Sequence, residues 1–167
     1  MVLVPGGGFA NETRYVVHQF KGAFDLSYVS MIGTADWMDN THYQTVYEPP
    51  SIMVPHNALV IGKALSLIRA TFSMISIIRD FKPDALLCVG HSVALPACIA
   101  ARLSGVKTIY VESITRTISL SKTGLTLYRL RLCHKFYVQW QRLGKDYPRS
   151  SYKGTVLDIR HSGHNTV

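Results

Sequence analysis

Short apolar runs alternate with helical segments along this chain, and that alternation restricts the possible folds more than any other feature. Five runs have the length and composition of buried strands: Val2 to Val4, Leu26 to Ile32, Ala85 to Val89, Thr108 to Glu112 and Phe136 to Gln139. Four intervening segments have helical spacing and Gly, Pro, Asn or Ser at their ends: Asn11 to Lys21, Asn57 to Asp80, Ser92 to Leu103 and Thr123 to Lys135. The order predicts an α/β fold with a doubly wound parallel sheet.

The length of the chain indicates a single domain. With 167 residues, of which 47% are hydrophobic, we expect one domain over residues 1–160, ending in a peripheral strand, and a tail over residues 161–167. The three cysteines are widely spaced without a C-x-x-C motif, so neither a zinc site nor a disulfide framework is expected. No secretion leader precedes the first strand, so we expect either a cytosolic-facing location or a leader that has been removed.

The charge of the chain favours acidic partners. Its formal net charge is +8, which suits nucleic acid, anionic lipid headgroups or phosphorylated small molecules. No recognised RNA-binding or DNA-binding motif occurs, so nucleic acid is not an expected partner.

The longest helical segment is apolar around most of its circumference. Its polar residues recur every three or four positions: Lys63, Ser66, Arg69, Ser73, Ser76 and Asp80. Cations inside the segment argue against a membrane span. We expect a helix packed across the sheet; the alternative is a helix with one face that also touches lipid or a partner.

A glycine triplet, Gly6, Gly7 and Gly8, follows the first strand. Glycines there let backbone N–H groups approach a phosphate, and a helix N-terminus adds partial positive charge. Asn11 is the expected cap of that helix. A bare turn is an equally consistent interpretation.

The stretch VGHSVA resembles a nucleophile elbow centred on Ser92, with Ala94 in place of the second glycine. A hydrolase would also need an acid and a histidine downstream, formally Asp146 or Asp158 with His161 or His164. Those histidines lie in a polar tail with nothing to fix their geometry. The favoured interpretation is a glycine turn at Gly90, a loop residue at His91 and a helix cap at Ser92.

A third stretch follows the fourth strand, where Glu112 and Ser113 precede a segment of interleaved cations and apolar residues. The cations are Arg116, Lys122, Arg129, Arg131 and Lys135. This pattern suits a phosphate at a lipid surface, and a solvated amphipathic helix is the alternative.

Several motifs occur here in an order that resembles one protein family. They are GGG with Glu12 beyond it, KPDALLCVGHSVALP, YVES followed by Arg116, SLSKTG, and FYVQW followed by YPRSSYKG. The chain is similar to the membrane-associated subunit of the two-component N-acetylglucosaminyltransferase of dolichol-linked oligosaccharide assembly. It is equally similar to related subunits of bacterial exopolysaccharide glycosyltransferases.

The resemblance implies a Rossmann-like domain equivalent to the N-terminal, acceptor-side half of a GT-B glycosyltransferase, inactive alone. A separate subunit would bind the UDP-sugar, and this chain would bind a polyprenyl- or dolichyl-diphosphate-linked acceptor. Transfer would be inverting and need neither metal nor cofactor. The expected location is peripheral, on the cytoplasmic face of the ER membrane or of a bacterial inner membrane.

The resemblance also implies site residues. The family's glycine loop reads Gly-Gly-His-Thr, whereas Phe9 and Ala10 occupy the last two positions here. The candidate catalytic residues are therefore Glu12, Glu112 and His91. The candidate acceptor-binding and phosphate-binding residues are Gly6, Gly7, Gly8, Ser113, Arg116, Gly90 and Ser92. The loss of the family histidine leaves open a non-catalytic scaffold that recruits its partner to a membrane.

Overall fold

The computed structural model describes residues 1–19, 22–30 and 60–156. Its strands are β1 Val2–Val4, β2 Tyr28–Ser30, β3 Ala85–Val89, β4 Lys107–Val111, β5 Lys135–Val138 and β6 Ser151–Tyr152. Its helices are α1 Gly8–His18, α2 Val60–Phe81, α3 Ala94–Leu103, α4 Lys122–Arg129 and α5 Gln141–Asp146.

The described strands form one parallel sheet in the order β2-β1-β3-β4-β5-β6. From β1 the chain goes to β2 on one side, and it then returns to β3 on the other side of β1. The chain therefore leaves β1 and β3 in opposite directions, and the switch point of the sheet lies between the carboxyl ends of these two strands. The predicted doubly wound sheet is confirmed.

Side chains alternate along each strand, so each face of the sheet carries its own set of apolar residues, and helices pack on both faces. Val2 and Val4 pack with Ala10 and Val17 of α1 on one face. The other face carries the larger core, which includes Leu3, Leu86, Cys88, Tyr110, Phe136, Met74 and Ile77 of α2, Ala97 of α3 and Leu127 of α4. Strand β1 is thus buried on both of its sides, as its apolar run indicates. On the α1 side of the sheet, Leu87 of β3, Ile109 of β4 and Tyr137 of β5 are only partly buried among the described residues.

The boundaries of several elements differ from the predicted ones. Helix α1 begins three residues before Asn11, and α4 ends at Arg129 rather than Lys135. The glycine triplet allows the early start of α1. Helix α4 cannot continue to Lys135 because Arg131 has a left-handed φ of 52°. Helix α5 was not predicted. The outer end of the second predicted strand, the first residues of the second predicted helix and the 160/161 boundary lie outside the described residues.

Helix α2 packs across the sheet as predicted, through Ala70, Met74, Ile77 and Ile78. Its solvent face is wider than the predicted polar stripe, however, and includes the exposed apolar residues Leu65, Ile68 and Phe72. Among the helices of the described ranges, none is long and apolar enough to cross a membrane.

Candidate functional site

The turns that follow β1, β3 and β4 all lie at the carboxyl edge of the sheet, around the switch point between β1 and β3. They carry the predicted site residues, together with Glu12 in α1: Gly6, Gly7, Gly8, Gly90, His91, Ser92, Glu112, Ser113 and Arg116. Parallel pairing brings these distant segments to one edge, because every strand points the same way.

The glycine triplet leads directly into α1. Gly7 is the N-cap with a φ of 67°, and no side chain caps the helix. The predicted Asn11 cap is therefore wrong: Gly7 makes the turn itself, and Asn11 is an exposed residue inside the helix. The positive end of the α1 dipole consequently lies at the carboxyl edge of the sheet.

Phe9 lies against the turn after β3. A Cβ added at Gly90 would lie 2.5 Å from the Phe9 ring, so that ring occupies the space a side chain would need. The same ring meets His91 edge to face, with centroids 5.3 Å apart. Phe9, which the resemblance places where the family carries a histidine, is thus in contact with a histidine from another turn.

His91 has an unusual backbone conformation and a defined tautomer. Its φ is 62°, a left-handed value that costs a residue with a Cβ about 1–2 kcal/mol. The N–H of Val93 donates to His91 Nδ1 at 3.3 Å, which leaves the proton of the neutral ring on Nε2. Burial lowers the pKa of His91, so the ring is neutral at pH 7. It is arranged to donate a hydrogen bond from Nε2 rather than to take a proton there.

Ser92 does not cap α3. The N-cap is Val93, and no side chain caps this helix, so the predicted Ser92 cap is wrong; the His91 ring binds the amide of Val93 instead.

The hydrolase hypothesis gains no support from the geometry around Ser92. A nucleophile elbow places its serine on the strained residue, whereas here the positive φ values belong to Gly90 and His91. Asp146 lies on α5 and pairs with Arg142 at 3.6 Å. The other predicted triad partners, Asp158, His161 and His164, lie outside the described residues.

Glu12 connects α1 to the turn after β4. Its Oε1 accepts a hydrogen bond from Ser113 Oγ at 2.8 Å, across 101 positions of sequence. Its Oε2 accepts from the N–H of Ile114 at 3.1 Å and from Gln139 Nε2 at 3.4 Å. Ser113 Oγ also lies 3.0 Å from Thr115 Oγ1, and Thr115 is exposed. A chain of two hydroxyls therefore links the buried Glu12 carboxylate to the surface.

Glu112 is fully buried and holds the loop between β4 and α4. Its Oε1 accepts from the N–H of Ser113 at 3.0 Å and from the Tyr110 hydroxyl at 3.3 Å. Its Oε2 accepts from the N–H and Oγ of Ser121 at 3.0 and 3.1 Å. Burial raises the pKa of Glu112, and the four hydrogen bonds oppose that rise. These contacts indicate that Glu112 organises its own loop.

Arg116 ends the turn that starts at Ser113. Its backbone N–H donates to the carbonyl of Ser113 at 3.0 Å. Its side chain is exposed, and no carboxylate among the described residues pairs with it. The guanidinium is therefore available to an anion at the carboxyl edge.

The sequence did not identify the residues that support this turn from β5. Gln139 Nε2 donates to the Glu112 carbonyl at 2.9 Å, and its Oε1 accepts from the N–H of Val156 at 3.0 Å. Trp140 Nε1 donates to the carbonyl of Ile114 at 2.6 Å. The sequence signal that could have identified Gln139 was its position as a polar residue directly after an apolar strand, within the FYVQW motif.

Replacing Gly90 with alanine is expected to destabilise the protein by about 2 kcal/mol, from the left-handed backbone and the displaced Phe9 ring. In a Phe9→Ala background the added cost should fall to about 1 kcal/mol, because only the backbone contribution remains. Urea unfolding of the single and double variants measures both values. Gly105→Ala is the matched control, since Gly105 has a φ of 72° and open space around it. Equal costs of Gly90→Ala in both backgrounds would contradict the Phe9 contact.

Comparison with known proteins gives a consistent set of matches. The family described as "Oligosaccharide biosynthesis protein Alg14 like" matches residues 1–156. "UDP-N-acetylglucosamine transferase subunit ALG14" of Yarrowia lipolytica is 29% identical over 175 residues, covering 94% of this chain and 80% of that protein. The human protein of the same name is 39% identical over 87 residues, covering 48% of this chain and 39% of its own length. The chain thus spans about two fifths of the human relative.

Two solved structures share the fold. The structure of Acinetobacter baumannii MurG matches with a TM-score of 0.66 and 19% identity, over 92% of this chain and 45% of that one. A UDP-N-acetylglucosamine 2-epimerase matches with a TM-score of 0.59 and 10% identity, over 98% of this chain and 45% of that one. The fold is therefore Rossmann-like and of the GT-B type, and the match extends over about half of each larger chain.

Proposed function

The chain belongs to the family of Alg14-like oligosaccharide biosynthesis proteins, and from this we propose that it is the acceptor-side subunit of a heteromeric UDP-sugar glycosyltransferase. Its acceptor is a sugar linked to polyprenyl or dolichyl diphosphate, and a partner subunit presents the UDP-sugar. The names of the Yarrowia and human relatives, both UDP-N-acetylglucosamine transferase subunits, support this assignment.

The observation that carries the proposal is the meeting of three turns at the switch point of the sheet. Open α/β sheets bind ligands there. Gly6, Gly7 and Gly8 offer backbone that a ligand can approach closely, at the positive end of α1. The exposed Arg116 guanidinium would bind the diphosphate, whose oxygens its planar fork matches. Gly90 and Ser92 lie in the turn after β3 at the same switch point.

The transfer needs a group that accepts the proton of the acceptor hydroxyl. In our proposal the hydroxyl oxygen attacks the anomeric carbon, and UDP leaves with the electrons of its bond to that carbon. The proton passes through the Thr115 and Ser113 hydroxyls to Glu12. His91 donates from Nε2 to an acceptor oxygen and orients it. Glu112, whose oxygens are filled with hydrogen bonds, keeps the turn in place.

A non-catalytic scaffold is the second candidate. It is favoured by Phe9 in place of the family histidine and by the complete hydrogen bonding of the Glu12 and Glu112 carboxylates. In that case the chain only recruits its partner to a membrane. Under either proposal it works peripherally at the cytoplasmic face of a membrane, the ER membrane or a bacterial inner membrane.

The test is reconstitution of the full chain with its partner subunit, a UDP-sugar and a diphosphate-linked acceptor. Sugar transfer should require both subunits. Ser113→Ala breaks the hydroxyl chain to Glu12 and should lower kcat by about 100-fold, the low end of what general acid–base catalysis contributes. Ser104→Ala is the matched control, an exposed serine after α3 at the opposite end of the sheet, whose loss should leave kcat unchanged.

The outcomes separate the candidates. Full kcat in both Ser113→Ala and Glu12→Gln, with the partner still required, would favour the scaffold and overturn the relay. Transfer by the partner alone at the same rate would overturn both candidates. Labelling of Ser92 by a fluorophosphonate probe would instead support the hydrolase hypothesis.

A further inference from the structure

A groove lies on the α1 side of the sheet, over strands β3, β4 and β5. It encloses about 950 Å³, a volume at the upper end of the range for small-molecule sites. Leu87, Ile109 and Tyr137 form its floor, and all three are only partly buried. The C-terminal part of α1 borders it on one side, and residues 153–156 border it on the other. We name this concavity, with its floor of Leu87, Ile109 and Tyr137, the sheet groove.

The sheet groove extends from one edge of the sheet to the other. Its lining includes Gln139 and Val156 at the carboxyl edge, and Pro83 and Ala85 at the amino edge. Strand β3, which lies between these edges, has five residues and is therefore about 13 Å long. An elongated groove with a largely apolar floor suits a ligand that has a hydrocarbon chain.

The carboxyl end of the sheet groove adjoins the candidate site. Gln139 lines the groove, and its Nε2 donates to Glu12 Oε2 at 3.4 Å. Val111 also lines the groove and directly precedes Glu112 and Ser113 of the turn after β4. A ligand whose polar part lies at the candidate site therefore has apolar surface beside it for an attached chain.

The charges at the two ends of the sheet groove differ. Among the described lining residues at the carboxyl end, the charged one is Lys153, which is exposed and pairs with no carboxylate of the described ranges. The amino end carries the carboxylates of Asp25 and Asp84 together with Lys82. An anionic headgroup is therefore favoured at the carboxyl end. This polarity fits an amphiphile whose phosphate lies at the candidate site and whose chain extends toward the amino edge.

We propose that the sheet groove is the subsite for the isoprenoid chain of the acceptor. The diphosphate lies at Arg116 and Lys153, and the isoprene units next to it lie on Leu87, Ile109 and Tyr137. Binding removes apolar surface of both the chain and the sheet from water, which stabilises the complex. The inference rests on the proposed function because the acceptor is the lipid-linked sugar named there. It adds a binding site for the lipid within the protein itself.

The experiment is isothermal titration calorimetry of the full chain, without partner or UDP-sugar. The probes are farnesyl diphosphate, its shorter homologue geranyl diphosphate, and inorganic diphosphate, each below any micelle-forming concentration. The Kd should fall about tenfold from geranyl to farnesyl diphosphate, which is part of the gain from burying the additional carbons. Inorganic diphosphate should bind about 100-fold more weakly than farnesyl diphosphate, since it has no chain.

Two substitutions at one floor position test the sheet groove. Ile109→Gln places a polar group on the floor, and Ile109→Trp fills the space with an apolar side chain. Each should weaken farnesyl diphosphate binding about tenfold and leave inorganic diphosphate binding unchanged. Ile109→Trp keeps the test decisive if Ile109→Gln does not fold, because it retains an apolar side chain at this partly exposed position. Circular dichroism verifies the fold of both variants.

Lys153→Gln tests the headgroup end and should weaken the binding of all three probes about fivefold, since it removes a cation that contacts phosphate. Leu103→Gln is the matched control, because Leu103 is 70% exposed on α3, on the opposite face of the sheet. It should bind all three probes as the wild type does.

Three results would overturn the inference. They are absence of farnesyl diphosphate binding, equal affinity of the wild type for farnesyl and inorganic diphosphate, and farnesyl diphosphate binding that neither Ile109 variant weakens. The titrations need no sugar transfer, so they are independent of the proposed function. Binding that depends on the sheet groove, without transfer by the reconstituted complex, would contradict the proposed function alone. Partner-dependent transfer with the same KM for acceptors that carry geranyl and farnesyl chains would contradict the inference alone.

Discussion

Replacing Glu112 with alanine should lower the free energy of unfolding by about 4 kcal/mol. The substitution removes the acceptor of four hydrogen bonds and leaves the N–H groups of Ser113 and Ser121 unpaired. Each unpaired buried donor costs about 1–3 kcal/mol, and the space of the lost side chain adds to that cost. Urea unfolding followed by circular dichroism at pH 7 measures the loss.

Two further variants test whether the loss of stability arises from the contacts of the Glu112 side chain. Gly124→Ala should also be strongly destabilising, because an added Cβ would collide with Glu112 Oε2, which Ser121 holds in place. Thr126→Ala is the control on the same helix: it removes only an exposed hydrogen bond to the carbonyl of Lys122 and should change stability by less than about 0.5 kcal/mol. A loss below about 1 kcal/mol in Glu112→Ala would show that its hydrogen bonds do not organise the loop.

Replacing Arg116 with alanine should lower kcat/KM for the diphosphate-linked acceptor by about 100-fold, the effect of losing a bidentate, charge-assisted contact to phosphate. Arg116→Lys should recover only part of this loss, since an ammonium group cannot donate in the same planar geometry. Stability should not change, because the side chain is exposed. Steady-state kinetics of the reconstituted complex, with the acceptor varied at saturating UDP-sugar, measure the effect.

Arg129→Ala provides the control for Arg116. It removes the same charge from an exposed position at the end of α4 and should leave kcat/KM within about twofold, the size of a screened surface charge effect. An equal loss in both variants would indicate a general effect of charge rather than a diphosphate contact. An unchanged kcat/KM in Arg116→Ala would remove Arg116 from the proposed site.

Much of the fold follows from patterns within short stretches of sequence. Strands β1 and β3 begin and end where their apolar runs do, and β4 and β5 differ from the predicted bounds by one residue. Burial on both faces imposes a continuous apolar run, which is visible without any knowledge of neighbours. Helix ends were predicted less well. The starts of α1 and α3 depend on backbone turns at Gly7 and at His91, where the expected caps Asn11 and Ser92 make no capping bond.

The sequence also indicated which residues belong near the site, because polar residues and glycines directly after buried strands are easy to recognise. It did not indicate how they interact. The contact of Phe9 with His91, the bond from Ser113 to Glu12 and the four bonds to Glu112 join residues from different turns. Only their geometry distinguishes a carboxylate linked to the surface by hydroxyls, Glu12, from one enclosed by its own loop, Glu112.

The sequence by itself therefore determined the alternation of strands and helices, the parallel sheet and the resemblance to the family, since each of these depends on local patterns of side chains and on motif order. The tertiary structure alone decided the tautomer of His91, the different roles of Glu12 and Glu112, and the exposure of Leu65, Ile68 and Phe72. The physical reason is that hydrogen bonding and burial depend on atoms brought together from distant parts of the chain.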